Sequence, residues 1–215
     1  MLVFSKQRLV LLSVPKTGTT ALEGALAPHA SIVVNAPPEL KHAPVFRYNR
    51  FFRQIIERFI GEDAEIVAVM REPVSWLGSW YRYRQRASLD GQAKSTRGIS
   101  FDDFVTAYCQ GDTPSFAQVG SQAKFLEPQR NGTRVTHLFR YEDQIGLRAF
   151  LEERLATRIE TSWQNQSPSM PLDLSSETEA RLRRKHAADF ILWQGIKGGG
   201  RYTPRPLRPK PDAKG

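Results

Sequence analysis

A short run near the start of the chain carries the residues best suited to holding an anion. Residues 13–20 read Ser-Val-Pro-Lys-Thr-Gly-Thr-Thr and lie between an apolar segment and a helical pattern. Gly18 lets backbone approach a ligand closely, and the free amides of a new helix attract negative charge. Lys16 adds a full positive charge, and Thr19 and Thr20 add hydroxyl donors. The run predicts a cradle for a phosphate-sized anion.

This run differs from the Walker A motif, in which the lysine directly follows the last glycine. Here Lys16 precedes Gly18 by two residues, and Ser13 and Val14 stand where the leading glycine is expected. The alternative is an ordinary strand–turn–helix junction capped by threonine. Both interpretations place the run between a strand and a helix.

A second run offers a guanidinium and a hydroxyl at the start of another helix. Arg71 ends the most apolar predicted strand, and Ser79 follows eight residues later inside the next helix. An arginine fork and a serine donor can hold one phosphate together. The alternative is that Arg71 pairs with Glu72 or another acid, while Ser79 is a small residue that permits close packing.

The elements that must position these residues alternate between strand and helix. Short apolar runs predict strands at Leu9–Val14, Ser31–Val34, Glu65–Met70 and Arg134–Phe139, the first three buried on both faces. Helical patterns cover Thr19–Leu26, Arg47–Ile60, Pro73–Arg86, Phe101–Cys109, Ser115–Leu126, Gly146–Leu155 and Ser175–Trp193. Alternation of this kind predicts an α/β fold with a mainly parallel central sheet flanked by helices. Ligands of such sheets bind at the carboxyl ends of the strands, where both runs lie.

Length and composition set the remaining limits. The 215 residues, with 40% hydrophobic and 25% charged side chains, predict one domain over residues 1–196. Residues 197–215 are rich in glycine, proline and basic side chains, which predicts a disordered tail. The single Cys109 excludes a disulfide framework, and four scattered histidines disfavour a structural zinc site. The formal net charge of +9 favours an anionic partner.

No segment has the length of apolar sequence that a transmembrane helix needs. The first residues resemble the start of a signal peptide, but residues 6–8 (Lys-Gln-Arg) interrupt it and no small-residue cleavage site follows. We therefore expect a cytoplasmic protein without stable membrane insertion.

Together, the two runs resemble a known family. Residues 15–20 resemble the 5′-phosphosulfate loop of sulfotransferases, and Arg71-Glu72-Pro73 with Ser79 resembles their 3′-phosphate motif. The resemblance is to the bacterial and Golgi-type carbohydrate sulfotransferases. It extends more weakly to residues 139–143 (Phe-Arg-Tyr-Glu-Asp), 165–167 (Asn-Gln-Ser) and 189–190 (Asp-Phe).

The resemblance implies a P-loop-like three-layer sandwich and an enzyme that uses 3′-phosphoadenosine 5′-phosphosulfate (PAPS) as co-substrate, without a metal. Lys16 would contact the bridging oxygen, and Arg71 with Ser79 would hold the 3′-phosphate. The 5′-phosphate would lie against the loop residues Pro15, Lys16, Thr17, Gly18, Thr19 and Thr20. The implied partners are PAPS, its bisphosphate product and an acceptor, with a hydroxyl or amine of a carbohydrate or small metabolite receiving the sulfuryl group. Nucleic acid is not an expected partner.

An acceptor hydroxyl needs a general base, and three residues are candidates. Glu39 and His42 lie in the proline-bounded loop 36–44 after the second predicted strand. A histidine titrates near neutrality, whereas a glutamate needs burial to raise its pKa. His42 ranks first and Glu39 second, with a shared His42–Glu39 dyad as a further arrangement. Glu23, in the helix after the anion cradle, is expected to be a surface or supporting residue.

Two other functions compete with this interpretation. A P-loop phosphotransferase such as a small kinase also uses a phosphate loop, but Arg71 stands where an acidic magnesium ligand is expected. A nucleotide- or RNA-binding module is favoured by the basic tail alone.

The arginines at 82, 84 and 86 are interpreted as a solvated face, and Trp76, Trp80 and Tyr83 as core. Gln122 receives no assigned role.

Overall fold

Apolar strands alternate with helices in the computed structural model, which describes residues 1–160, 170 and 172–204. The strands are β1 (Leu2–Phe4), β2 (Leu9–Leu11), β3 (Ile32–Val33), β4 (Glu65–Met70) and β5 (His137–Arg140). The helices are α1 (Thr19–Leu26), α2 (Pro38–Lys41), α3 (Val45–Phe51), α4 (Arg53–Phe59), α5 (Pro73–Arg84), α6 (Phe101–Tyr108), α7 (Gln122–Phe125), α8 (Gln144–Leu155), α9 (Ser176–Lys185) and α10 (Ala187–Gln194). Short 3₁₀ turns cover Ala27–His29, Ala87–Leu89, Ser115–Ala117 and Gly198–Gly200.

The five strands form one open mixed sheet in the order β3-β1-β2-β4-β5. β2, β4 and β5 pair in parallel, whereas β1 is antiparallel to both β2 and β3. The sheet is therefore mixed, where a mainly parallel sheet was predicted. The cause is the short turn between β1 and β2, because strands joined by a tight hairpin must run in opposite directions. β1 was not predicted from the sequence, because its apolar residues resemble the start of a signal peptide.

The reversed strand leaves the other four strands pointing the same way. Since β1 is antiparallel to both neighbours, β3 has the direction of β2, and β4 and β5 share it. The carboxyl ends of these four strands meet at one edge of the sheet. The loops that follow them carry the anion cradle, the candidate bases, Arg71 and residues 141–143, so these segments share that edge.

Helices cover both faces of the sheet, because alternate strand residues enter two separate cores. One core joins strand residues to helices α3, α4, α7 and α10, with members that include Val10, Ile66, Leu138, Tyr48, Ile56, Phe125 and Leu192. The opposite core joins strand residues to α1 and α8, with members that include Leu9, Val67, Phe139, Leu22, Leu26, Leu147 and Leu151. Burial of both faces explains the continuous apolar character of β2 and β4.

A third core lies among α5, α6, α9 and α10. Phe104, Val105 and Ala117 are its most buried members. The Asp102 carboxylate fastens α6 to the start of α9, accepting hydrogen bonds from the Ser175 amide and the Thr178 hydroxyl at 2.8 and 2.9 Å. Across the described ranges, no helix combines the length and apolar character needed to cross a membrane.

The sequence predicted some element bounds and missed others. β4 and α1 have the predicted bounds, and β2 is buried as expected. β3 differs, because it is an exposed edge strand of two residues rather than a buried one. The loop 36–44 contains the short helix α2, which opens with Pro38 at its first position. The predicted final helix is two helices, α9 and α10, with a break at His186.

Residues 197–204, which the sequence assigned to a disordered tail, pack against the body. The Lys197 amide donates to the Arg201 carbonyl at 2.7 Å, which closes a turn around Gly198–Gly200. Tyr202 packs against the first core, and its hydroxyl donates to the Val135 carbonyl. The rest of the predicted tail, residues 205–215, lies outside the described residues, and the single-domain assignment stays a prediction.

A pair of neighbouring glycines tests this packing. Gly199 and Gly200 both have left-handed backbone, with φ of +69° and +74°. A Cβ at Gly200 would lie 2.6 Å from the ring of the buried Phe139, whereas one at Gly199 would meet nothing within 4 Å. Gly199→Ala should therefore cost about 1–2 kcal/mol of backbone strain alone. Gly200→Ala should cost about 1–3 kcal/mol more through overpacking, measured as the free energy of unfolding in urea. Equal losses in both variants would show that residue 200 does not pack on β5.

Candidate functional site

The loop between β2 and α1 is fixed by its own side chains and by α5. The Thr17 hydroxyl, which is buried, donates to the Val14 carbonyl at 2.8 Å. The indole nitrogen of Trp76 on α5 donates to the Pro15 carbonyl at 2.9 Å. Lys16 has left-handed backbone with φ of 66°, a strained conformation for a residue with a side chain. Thr17 and Pro15 therefore shape the loop.

The amides at the start of α1 are open to a ligand. Within the described residues, no carbonyl or side chain accepts a hydrogen bond from the amides of residues 16–20. The first helical bonds of α1 come from the amides of Ala21 and Leu22, both to the Gly18 carbonyl. The first turn of α1 contains no acidic side chain and no side-chain cap. Free amides and an uncompensated helix dipole are what an anion needs.

The backbone of Arg71 is held by a buried amide side chain. Gln122, at the start of α7, accepts from the Arg71 amide and donates to the Arg71 carbonyl, both at 2.9 Å. These two hydrogen bonds resemble those between neighbouring strands, and they lie one residue beyond the end of β4. Gln122 thus positions Arg71, a role that the sequence did not suggest.

The guanidinium of Arg71 lies between α5 and the loop after β5. Its Nε donates to the Ser75 hydroxyl at 2.9 Å, and its centre lies 4.5 Å from the centre of the Tyr141 ring. Ser79, one helical turn beyond Ser75, is buried and makes no hydrogen bond with its hydroxyl among the described residues. Ser79 lies next to Ser75 on the same helix face, and joint binding of one phosphate by Arg71 and Ser79 stays a prediction.

Tyr141 links the two predicted motifs. Besides its contact with Arg71, its ring lies 3.0 Å from the position that a Cβ on Gly18 would take. Gly18 also has left-handed backbone with φ of 73°. Only glycine meets both requirements without strain. The anion cradle and Arg71 therefore border one ring at the shared edge of the sheet.

Four positive side chains form a cation cluster: Lys16, Arg71, Arg82 and Arg86. Burial lowers the pKa of Lys16 to about 8, and repulsion from the other three cations adds to the effect. The Lys16 ammonium lies 4.2 Å from the centre of the Tyr83 ring and 5.7 Å from that of Trp80. Burial also lowers the pKa values of Arg71 and Arg82.

None of these four cations forms an ion pair with a described carboxylate. The Nε of Arg82 is buried without a hydrogen-bond acceptor among the described residues. An unpaired, partly desolvated group of cations is costly unless an anion binds it. The donor set therefore fits a ligand with several negative charges, such as a phosphate ester.

A hydrogen bond to the backbone determines the tautomer of His42. Its Nδ1 lies 2.7 Å from the Ser13 carbonyl oxygen, which can only accept, so Nδ1 carries the proton. Nε2 then has the free lone pair. Burial lowers the pKa of His42 below its usual 6.5, which keeps the imidazole neutral at pH 7. Its position beside Ser13 places it next to the anion cradle.

Glu39 lies apart from this arrangement. It is exposed in the first turn of α2, and its backbone carbonyl, not its carboxylate, accepts a hydrogen bond from Arg47 at 2.6 Å. The structure does not form the His42–Glu39 dyad, because the Ser13 carbonyl occupies the position of the orienting acceptor.

Glu23 is a supporting residue, as expected. Its carboxylate accepts from the Ser13 hydroxyl at 2.8 Å and lies 2.7 Å from the Lys41 ammonium. The side chain is only 12% exposed. These contacts occupy the carboxylate and tie α1 and α2 to the end of β2.

The sequence missed two cations of the cluster and one aromatic residue. Arg82 and Arg86 were interpreted as a solvated face, yet the positive charge of each helps to lower the pKa of Lys16. Ser75, Ser79 and Arg82 repeat at i, i+4 and i+7 on α5, and this spacing is the signal that predicts a shared face. Trp76 is core as predicted, whereas Tyr83 is exposed beside Lys16.

Arg84 differs from both of its neighbouring arginines, because it is buried. Its guanidinium donates to the carbonyls of Ser115 and Gln118, both at 2.7 Å. The predicted arginine face is therefore divided, with Arg84 in a structural role and Arg82 and Arg86 in the cation cluster.

Of the weaker resemblances, residues 165–167 lie outside the described residues. Asp189 is buried and accepts hydrogen bonds from the Ser121 hydroxyl and the Ala123 amide. These bonds fix the start of α7 and hence the position of Gln122.

In the part of the chain that is described, no three His, Cys, Asp or Glu residues form a group that could hold a metal ion. No protein-family model and no curated protein matches this chain.

Proposed function

We propose that the protein transfers a sulfuryl group from PAPS to a hydroxyl or amine of a carbohydrate or small metabolite. The observation that carries this proposal is the unpaired cation cluster beside the open amides of α1. The proposal includes a P-loop-like arrangement and a relationship to the bacterial and Golgi-type carbohydrate sulfotransferases, based on the two sequence motifs.

The anion cradle suits the 5′-phosphosulfate. The open amides of residues 16–20 supply donors without a side-chain competitor. Thr19 and Thr20 place hydroxyls in the first turn of α1, and Pro15 and Thr17 hold the loop through their backbone and hydroxyl contacts. Lys16 supplies the charge that neutralises the bridging oxygen as negative charge grows on it.

Arg71 suits the 3′-phosphate. Its backbone is fixed by Gln122, while its guanidinium is free of carboxylate partners among the described residues. Ser75 and Ser79 add hydroxyls on the adjoining face of α5, and Arg82 adds a second guanidinium with an unfilled donor. Two charged donors and two hydroxyls match the three oxygens of a phosphate monoester.

In this mechanism His42 Nε2 takes the proton of the acceptor as the acceptor oxygen or nitrogen bonds to sulfur. The bond from sulfur to the bridging oxygen breaks, and that oxygen leaves with its electron pair on adenosine 3′,5′-bisphosphate. Lys16 and the α1 amides lower the barrier because they are already oriented toward the leaving group. The Ser13 carbonyl stabilises the imidazolium that forms.

Thermal unfolding with two ligands tests the assignment. Adenosine 3′,5′-bisphosphate without Mg²⁺ should raise the melting temperature more than adenosine 5′-monophosphate does, because only the former engages Arg71. Arg71→Lys should lose about 1–3 kcal/mol of bisphosphate binding and most of this preference. Stabilisation by Mg·ATP alone would favour a phosphotransferase, and no stabilisation by either nucleotide would contradict both enzymes.

The pKa of Lys16 predicts a pH dependence for bisphosphate binding. With a pKa of about 8, the ammonium is charged below that pH and loses its proton above it. Affinity should therefore fall as the pH rises from about 7 to about 9.5, with proton uptake near pH 8 because a bound anion raises the pKa. Calorimetry in two buffers of different ionisation enthalpy measures both quantities. Lys16→Gln should abolish the proton uptake, and pH-independent binding by the unmodified protein would contradict the prediction.

A further inference from the structure

Helices α3 and α4 form one nearly continuous helix with an exposed apolar row. The Phe52 amide donates to the Tyr48 carbonyl at 2.9 Å, and the Ile56 amide donates to the Phe52 carbonyl at 3.0 Å, so bonding continues across the junction. Phe51, Ile55 and Phe59 repeat every four residues and are 54%, 53% and 81% exposed. Residues at this spacing lie on one face of a helix.

A second exposed row runs beside the first. Arg50, Gln54 and Arg58 each precede a member of the apolar row by one residue, and all three are exposed. The Arg50 guanidinium lies 5.3 Å from the centre of the Phe51 ring. We call Phe51, Ile55, Phe59, Arg50 and Arg58 the arginine–phenylalanine face.

Among the described residues, none of the three apolar side chains of this face belongs to a hydrophobic core. The core side of the same helices is provided by Val45, Tyr48 and Ile56, all buried. The one acidic residue between 45 and 60, Glu57, is paired with Arg53 at 2.9 Å. Three large apolar side chains exposed in a row indicate an interaction surface.

We infer that the arginine–phenylalanine face binds the surface of an anionic lipid bilayer. The apolar row would enter the boundary between head groups and acyl chains, and Arg50 and Arg58 would contact lipid phosphates. Charge complementarity favours this occupant, because the face offers Arg50 and Arg58, and the one carboxylate of residues 45–60, Glu57, is paired with Arg53. In a second copy the next carboxylate along the chain is Glu62, which is exposed four residues after Arg58, so a dimer is the competing occupant that the experiment must separate.

Vesicle flotation of the full chain tests this binding without any substrate, so it does not depend on the proposed function. Vesicles of equal parts phosphatidylglycerol and phosphatidylcholine should bind the protein, whereas phosphatidylcholine alone should bind it weakly. The combined change Phe51→Ser, Ile55→Ser and Phe59→Ser should reduce binding to the anionic vesicles at least roughly tenfold. Arg50→Gln with Arg58→Gln should remove most of the salt-sensitive part of binding.

The matched control is Ile145→Ser with Ile191→Ser, which removes two other strongly exposed apolar side chains and should leave binding unchanged. All variants keep the basic residues of 205–215, so the contribution of this basic segment to vesicle binding is the same in each comparison. Unchanged binding in the triple variant, or no preference for phosphatidylglycerol, overturns the inference. A dimer in sedimentation that the triple variant dissociates would overturn it in favour of a second copy, and circular dichroism checks that the variants fold.

Discussion

Replacing Lys16 with alanine is expected to lower sulfuryl transfer roughly 10²–10³-fold, which is the usual loss when one preorganised donor to a developing anion is removed. The ammonium is desolvated and has no carboxylate partner among the described residues, so its charge is available to the leaving oxygen. The measurement is transfer of labelled sulfur from PAPS to acceptors in a bacterial extract, followed by kinetics on the acceptor that becomes labelled.

Lys6→Ala is the matched control for this variant. Lys6 is exposed in the turn between β1 and β2, at the opposite edge of the sheet from the cradle. It should retain full activity, since it removes the same side chain far from the anion cradle. A folded Lys16→Ala protein with near-normal turnover would remove the sulfotransferase assignment of this loop.

Replacing His42 with asparagine is expected to lower kcat roughly 10²–10⁴-fold, the usual contribution of general-base catalysis. Asparagine can still donate a hydrogen bond toward the Ser13 carbonyl but has no basic nitrogen, so the variant separates proton transfer from loop structure. Affinity for adenosine 3′,5′-bisphosphate should change little. His29→Ala, which removes an exposed histidine, is the control and should have no effect.

The pH profile gives an independent measurement of the same base. Because burial lowers the pKa of His42, kcat should fall only as the pH drops below the ordinary value of 6.5. Activity is present above that pKa and lost below it, since the protonated imidazole cannot accept a proton. A large loss in Glu39→Gln, with His42→Asn active, would instead make Glu39 the base.

Sequence predicted the parts of the site that depend on local pattern. The prediction of a cradle depends on a strand, a glycine and a helix start that are contiguous in residues 9–26, and the structure has the strand and the helix there. Arg71 follows from the end of a six-residue apolar strand, β4, which has the predicted bounds. Alternating apolar segments likewise predicted the α/β class. These features are short-range, so composition and spacing carry them.

The other features of the fold and of the candidate site depend on contacts between residues that are distant in the sequence. Gln122 meets Arg71 across 51 positions, and His42 meets Ser13 across 29, and neither pairing has a local signature. The strand β1 was not predicted, and its antiparallel direction depends on its pairing with β2. In the sequence, Arg82 does not differ from a surface arginine, and only the packing of α5 beside the cradle places it in the cation cluster. Tertiary packing, not propensity, decided each of these points.

The hydrogen bonds around the cradle would also determine the association rate of a ligand that binds there. Thr17 is bonded to Val14, Trp76 to Pro15, and Gln122 to Arg71, so the donors are in place before an anion arrives. Little conformational ordering would then be left for the encounter, and the four cations, which have no carboxylate partner among the described residues, would attract anions from a distance. Association would be a single fast step that slows with ionic strength. Differences in affinity between nucleotides would then come mainly from their dissociation rates.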